Sequence, residues 1–267
     1  MFTVIDVTDW QLDVNHGIFP IGARDKEMIW SPKEGVGSPF KANWPYLFKQ
    51  SIVKYPDQYW TEVVAFIVGK HLGVEVPSVM PAVKNKNASQ VICGALIEWF
   101  YDQKQDKEKL HPAGDFFKKL IHDFDDKEGK QHNLIDLKVI LQRFVDDGRL
   151  ITDSLKWLLD MMLFDVLIGN TDRHQENWGF VFQSDGKVRL TPLFDNGTAL
   201  GHERFTERVV GWYDNELTKY IKKGKHHLRD SRGQPRKRIK HFPMSDFLNL
   251  LALPTLDHLH EKTRSLN

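Results

Sequence analysis

The sequence predicts a mixed α+β protein, β-rich up to about Asp102 and mainly helical beyond it. Two observations carry that expectation. Before Asp102, short apolar runs alternate with Gly, Pro, Asn and Ser clusters, the pattern of strands and turns. After it, long charged segments carry apolar residues at helical spacing. Residues 1–102 and 103–267 are therefore expected as two domains.

The elements follow in order. "IGARDKEMIW" and "PYLFKQSIV" are strand candidates, separated by the turn-rich "KEGVGSPFKANW". In "DQYWTEVVAFIVGKHLG", Trp60, Val63, Val64, Ile67, Val68 and His71 recur at helical spacing and Gly73 and Pro77 close the helix. "SVMPAV" and "VICGALIEWF" flank the polar turn "KNKNAS" and read as a hairpin. "DFFKKLIHDF", "NLIDLKVILQRFV" and "ITDSLKWLLDMMLFDVLIG" read as three helices, with Trp157, Met161 and Met162 at core spacing on the last. "WGFVF" and "VRLTPLF", joined by "QSDGK", form a second hairpin.

Composition bounds the function. The chain has 267 residues, 41% of them hydrophobic, enough for a large core, and a formal net charge of +1. No whole-molecule field argues for nucleic acid or membrane. A single cysteine, Cys93, excludes an internal disulfide, argues against a zinc site and points to a reducing, cytoplasmic compartment, with export of the chain as an effector left open. Cys93 itself is expected as a small core residue. No apolar run reaches the ~20 residues of a membrane helix and no secretory leader is visible, so no membrane insertion is expected.

Chemistry concentrates in "LIGNTDRHQENWGFVF", where Asp172, Arg173, His174, Glu176 and Asn177 sit between two apolar runs. A loop anchored at both ends has little structural reason to carry spare carboxylates. Asp172 and Asn177 have the D-x-x-x-x-N spacing of a kinase catalytic loop, in which the Asp takes the acceptor hydroxyl and the Asn a metal. By itself the same spacing also describes an Asx-rich turn. The following hairpin would bring Asn177 and Asp195 to one end, where an amide oxygen and a carboxylate could share a hard cation such as Mg²⁺. Upstream, Lys49 interrupts an apolar strand and Glu62 opens the next helix, the order of a phosphate-orienting lysine and its partner. Each alone has an ordinary reading: a snorkelling lysine, and a glutamate favouring a helix dipole.

Together these residues resemble the HipA-like family of bacterial serine/threonine kinases over roughly residues 19–200. The resemblance implies a bilobal protein-kinase-like fold related to phosphatidylinositol kinases. It makes "IGARDK" the nucleotide loop, with Gly22, Ala23 and Lys26 over the ATP phosphates, and "LFK" the ATP-contacting Lys49. "TEVVAFIVGKHLGVEVP" places Glu62 as its partner, and "LIEWFYD" is similar to the hinge, so that backbone around Glu98 and Phe100 would meet adenine. "GNTDRHQEN" is similar to the catalytic loop, with Asp172 as catalytic residue, Arg173 or His174 supporting it and His174 near the γ-phosphate; "LFDNG" makes Asp195, with Asn177, a metal ligand. The implied cofactors are ATP and Mg²⁺. The implied partners are a protein substrate, conceivably an RNA-associated one, and an antitoxin or other regulatory protein of the toxin–antitoxin kind. The "DRH" triplet is the form seen in lipid-kinase relatives, so a lipid or small-molecule acceptor stays open, as does a non-catalytic binding module.

The sequence departs from the family in three places. About twenty residues precede the nucleotide loop, fewer than in full-length toxins; "HGIFPIG" lacks the Ser that some members autophosphorylate; and the basic run at 219–240 lies beyond the motifs that carry the resemblance and does not map onto them. That run reads either as a solvated loop or as a docking surface for RNA, an acidic protein or an anionic membrane. His71, His111 and His122 are dispersed without metal-ligand spacing.

Overall fold

The computed structural model describes residues 3–14, 25–33, 39–52, 54–87, 90–104, 107–201, 210–232 and 237–242. It is a mixed α+β chain that divides into two compact units, Met1–Phe100 with Pro192–Thr206, and Tyr101–Thr191 with Glu207–Asn267.

The first unit is built on a six-stranded sheet. Its strands are β1 (Ile5–Asp6), β2 (Gln11–Leu12), β3 (Lys26–Trp30), β4 (Pro45–Gln50), β5 (Val79–Asn87) and β6 (Gln90–Glu98), in the order β1-β5-β6-β4-β3-β2. All neighbours are antiparallel except β1 and β5. Strand side chains alternate between faces, and both faces are covered. Tyr46, Phe48, Leu96 and Ala82 pack with Ile5, Val7 and Ile29 on one side. On the other, Val79, Ala95 and Ile97 pack with Val63 of helix α1 (Tyr59–Leu72). Lys49 alternates with Phe48 and so shares the face of Leu47, the α1 side. Helix α1 ends at Gly73, whose φ of 70° closes the turn as a left-handed cap.

The strands of the β5–β6 hairpin are longer than the apolar runs that announced them, because pairing continues through the polar "KNKN". Cys93 lies on this hairpin and is exposed, not in the core. The apolar content around it marks the face opposite, where Leu96 and Ala82 are buried.

The second unit holds helices α2 (Ala113–Leu120), α3 (Leu134–Asp146) and α4 (Ser154–Ile168) around the sheet β7 (Glu108–Pro112), β8 (Gly179–Gln183) and β9 (Val188–Leu190). Asn133 and Asp153 cap α3 and α4 by accepting the amide three residues on. The α2 helix stops at Leu120, because Ile121 is already extended. Aromatic rings fill the interface between helices and sheet: Phe144 on Phe180 at 4.3 Å and Trp157 on Trp178 at 5.3 Å between centroids. Trp157, Met161 and Met162 are buried as their spacing requires.

The basic run is not a loop. Its described part forms α5 (Asp214–Lys222) and the antiparallel pair β10 (Lys225–Arg229) and β11 (Arg238–Lys240). Alternation explains this: His226, Leu228, Ile239 and His241 are buried, while the cations take the other positions. Among the described residues no helix is long and apolar enough to cross a membrane.

Candidate active site

Lys49 is carried into the first unit by β4, a strand apolar on both faces. At 4% exposure an ammonium so placed needs compensation. Its Nζ donates to Glu62 Oε1 at 2.8 Å and to Asp195 Oδ1 at 2.5 Å. Glu62, in the first turn of α1, is itself buried and divides its two oxygens: Oε1 to Lys49, Oε2 accepting the Asn196 amide at 2.9 Å. Gln58, one turn earlier, donates to the Gly197 carbonyl at 2.8 Å. The N-terminal end of α1 thus grips Asn196 and Gly197 of "DNG", and Lys49 of β4 holds Asp195. The snorkelling and helix-dipole readings of Lys49 and Glu62 do not describe these positions, since both side chains are buried and bonded to each other.

Asp195 has φ of 55°, in the left-handed region that non-glycine residues visit at a cost of about 1–3 kcal/mol when surroundings enforce it. Here Asn196 on Glu62, Gly197 on Gln58 and Leu193 N–H on the Glu75 carbonyl at 2.8 Å enforce it. The Asp195 side chain is 32% exposed. Lys26 lies directly opposite Lys49 across β3 and β4. Like charges placed opposite repel unless an anion joins them. Gly22 and Ala23 fall outside the described residues. In the segment expected as the hinge, the amides of Glu98 and Trp99 are given to the Ser78 and Pro45 carbonyls, and the Phe100 ring stacks on Phe194 at 5.1 Å.

In the second unit, α4 ends at Gly169, whose left-handed φ of 65° turns the chain into the polar loop. The loop is folded on itself. Asp172 N–H donates to Asn170 Oδ1, and Asp172 O accepts both the His174 amide at 2.8 Å and Asn177 Nδ2 at 2.9 Å. That last bond tells oxygen from nitrogen in the Asn177 amide and leaves Oδ1 as the end that can meet a cation. Arg173 turns inward. It is 3% exposed, donates Nη2 to Asp165 Oδ1 at 2.9 Å and Nε to Oδ2 at 3.3 Å, and reaches the Asn177 carbonyl at 3.3 Å. Burial pushes the Asp165 carboxyl up, opposed by the Arg173 guanidinium and the Asn170 amide. Arg173 is therefore the internal strut of the loop.

His174 is partly exposed. Its Nδ1 lies 3.2 Å from the Glu176 amide, and its ring meets that of His227 edge to face at 5.8 Å. His227 in turn faces buried His132, with the two Nδ1 atoms 3.4 Å apart, and His132 Nε2 accepts Trp178 Nε1 at 3.2 Å. Burial holds His132 well below the ordinary imidazole range and His227 down to about 4.

Sequence reasoning missed Asp165, Gln58, His132 and His227. A lone carboxylate within the apolar "MMLFDVLIG" was the available signal for Asp165; the histidines had none, because their partners are distant in the chain. The hairpin pairing expected between "WGFVF" and "VRLTPLF" stops at Thr191 N–H on the Gly179 carbonyl. Asn177 belongs to the second unit and Asp195 to the first.

Among the described residues no group of three His, Cys, Asp or Glu is placed to hold a metal. Mg²⁺ does not need one, because it takes one or two protein carboxylates and completes its shell with water and phosphate. Asp195, part-exposed in the first unit, and Asn177, with its amide oxygen free of the Asp172 bond in the second, are each an oxygen donor of the kind such an ion takes.

The family model of the HipA-like C-terminal domain matches residues 20–258. The serine/threonine-protein kinase CtkA of Helicobacter pylori is 37% identical over 78 residues, 28% of this chain and 23% of that protein. The crystal structure of the H. pylori proinflammatory kinase CtkA shares the fold, with a TM-score of 0.67 at 22% identity, covering 96% of this chain and 84% of that one. The chain belongs to the HipA-like C-terminal domain family.

Proposed function

We propose that the chain is an ATP- and Mg²⁺-dependent phosphotransferase that passes the γ-phosphate to a serine or threonine hydroxyl of a protein, on a bilobal kinase-like scaffold in a reducing cytoplasm. The observation that carries this reading is the buried Lys49, bonded at once to Glu62 and to a strained Asp195. A structural ion pair needs one acid. A lysine held between two, with a second lysine opposite on β3, suits a site that expects phosphate and a cation.

In this reading Mg²⁺ would neutralise phosphate charge and set the geometry of in-line transfer. Lys49, fixed by Glu62, orients the phosphates, with Lys26 beside it. Asp195 and Asn177 supply metal ligands. Asp172 receives or orients the acceptor hydroxyl on a loop that Arg173 and Asp165 stiffen. Such chemistry is mostly positioning and charge neutralisation, so removing one group is worth about 10²–10³ in rate.

The test is incubation with γ-labelled ATP and Mg²⁺ beside Asp172→Asn and Asp195→Asn, with mass spectrometry of labelled residues. Label on Ser or Thr, lost in both variants, supports the reading. Asp195→Asn should also lose metal-dependent ATP binding, whereas Asp172→Asn should keep it. Label entering inositol lipid and no protein would replace the acceptor; absence of Mg²⁺-dependent ATP binding in the parent would sink the reading.

A further inference from the structure

The pair β10–β11 has one face without an acid or an apolar side chain. Lys225, His227 and Arg229 alternate with buried His226 and Leu228, and Arg238 and Lys240 flank buried Ile239. The register sets Lys225 opposite Lys240 and, beyond a bulge, Arg229 opposite Arg238. Cross-strand like charges destabilise a ribbon, so two such pairs in succession call for an outside anion. Among the described residues neither arginine forms an ion pair, and Arg229 Nη1 is buried without a hydrogen-bond partner. The nearby acids are Asp172, which faces Arg238, and Asp230, whose carboxylate accepts from Ser231 and Lys237.

The inner end of this face adjoins the candidate catalytic loop. Arg238 Nη2 donates to the Thr171 carbonyl and to the Lys225 carbonyl at 3.3 Å, and Nε to the His226 carbonyl at 2.7 Å, so its guanidinium is fixed one residue from Asp172 with Nη1 left over. His227 stands between His132 and His174 on the same face.

The geometry points to a docking site on this face for a phosphorylated serine or threonine of the substrate protein, held by Arg229, Arg238 and Lys240. The inference rests on the kinase reading of the loop and deepens it: acceptors that already carry a phosphate near the target hydroxyl would be preferred. Three features favour a phosphorylated side chain over other anions. The Arg229 fork matches a phosphate monoester with two donors, and Arg238, whose Nε and Nη2 are held by backbone carbonyls, adds its charge and Nη1. Arg229 and Arg238 are half-buried, which suits one compact dianion better than the extended backbone of RNA. A membrane surface would gain only electrostatic attraction here, because the face adds no apolar side chain to insert.

The experiment is fluorescence anisotropy of the full chain with a degenerate peptide pool centred on phosphoserine or phosphothreonine, against the same pool unphosphorylated, without ATP. The phosphorylated pool is expected to bind at least about tenfold tighter. Arg229→Gln and Lys240→Gln should remove that preference, Arg229→Lys should restore part of it, and Lys219→Gln on α5 should leave it unchanged. Equal binding of both pools would overturn the proposal. So would preferential capture of single-stranded RNA or of phosphoinositide vesicles in place of the peptide. Mg²⁺–ATP binding, measured separately, is expected to be the same in parent and Arg229→Gln. Intact ATP binding without phosphopeptide preference sinks the docking site alone; phosphopeptide preference without ATP binding sinks the kinase reading alone.

Discussion

At the scale of single residues, Asp165 and Glu62 show how a buried charge is made tolerable. Each carboxylate gives both oxygens to partners that are themselves buried or backbone, Arg173 and Asn170 for one, Lys49 and the Asn196 amide for the other. Replacing both members of such a pair by apolar residues can be neutral, but removing one strands the other. Asp165→Ala should therefore cost about 3–5 kcal/mol, because Arg173 is left charged at 3% exposure. Thermal unfolding checks this, and Asp165→Ala with Arg173→Met should recover most of the loss. Glu62→Gln keeps the shape of the side chain but removes the charge that holds Lys49. Its melting temperature should fall modestly, while Mg²⁺-dependent ATP binding, read by titration calorimetry, should fall by tenfold or more, about 1.4 kcal/mol. A drop in stability with ATP affinity untouched would mark Glu62 as structural.

At the scale of elements, the position of Lys49 depends on how closely β6 approaches β4. Gly94 lies opposite Gln50, and a Cβ there would stand 2.8 Å from Phe48 Cε2 and 2.9 Å from the Lys49 carbonyl. Gly94→Ala must push β4 outward, so it should cost about 1–3 kcal/mol, as overpacking does. It should also weaken nucleotide binding, measured together with unfolding. Gly169 offers the contrast: a Cβ there meets nothing within 4 Å, and only the left-handed φ opposes it, so Gly169→Ala should cost about 1 kcal/mol. Elements announced by periodicity were legible in the sequence: α1, α3 and α4 lie where apolar spacing, and for α1 the closing Gly73, put them. The strand β7 was not, because "EKLHP" has no alternation of its own and pairs with β8 through backbone, while Glu108 reaches across to Arg189 of β9. Charge counting hid the ribbon as well. Ten cations in one run suggest solvation, and only their alternation with His226, Leu228, Ile239 and His241 reveals a buried face.

At the scale of the whole molecule, a net charge of +1 conceals four imidazoles in the second unit, three buried and His227 half-buried, whose protonation the fold opposes. Burial pushes His132 and His226 well below 6.5, with His227, His174 and Arg229 facing the first and His241, Arg238 and Arg173 the second. Burial and the cations around them, Arg238 foremost, push His227 and His241 down to about 4. A lowered imidazole binds its proton less readily folded than unfolded. The unfolded chain therefore takes up more protons as pH falls below 6.5, and stability present above that value is lost progressively toward pH 4. Asp165 acts in the opposite sense, because burial raises its carboxyl and the folded state then protonates first. Glu176, also raised by burial, acts likewise; two acids stand against four imidazoles, so the net slope should be positive. Calorimetric melting of the chain between about pH 4.5 and 7.5 should show the midpoint rising with pH, by on the order of 5 °C or more across that window. The slope should flatten in His227→Gln and His241→Gln, whose amides carry no proton to lose, and stay as it was in His122→Gln, an exposed control. A melting temperature independent of pH below 6.5 would mean that these four rings are reached by water when the chain is folded, and that the packing of β10 and β11 behind the loop is looser than their burial requires.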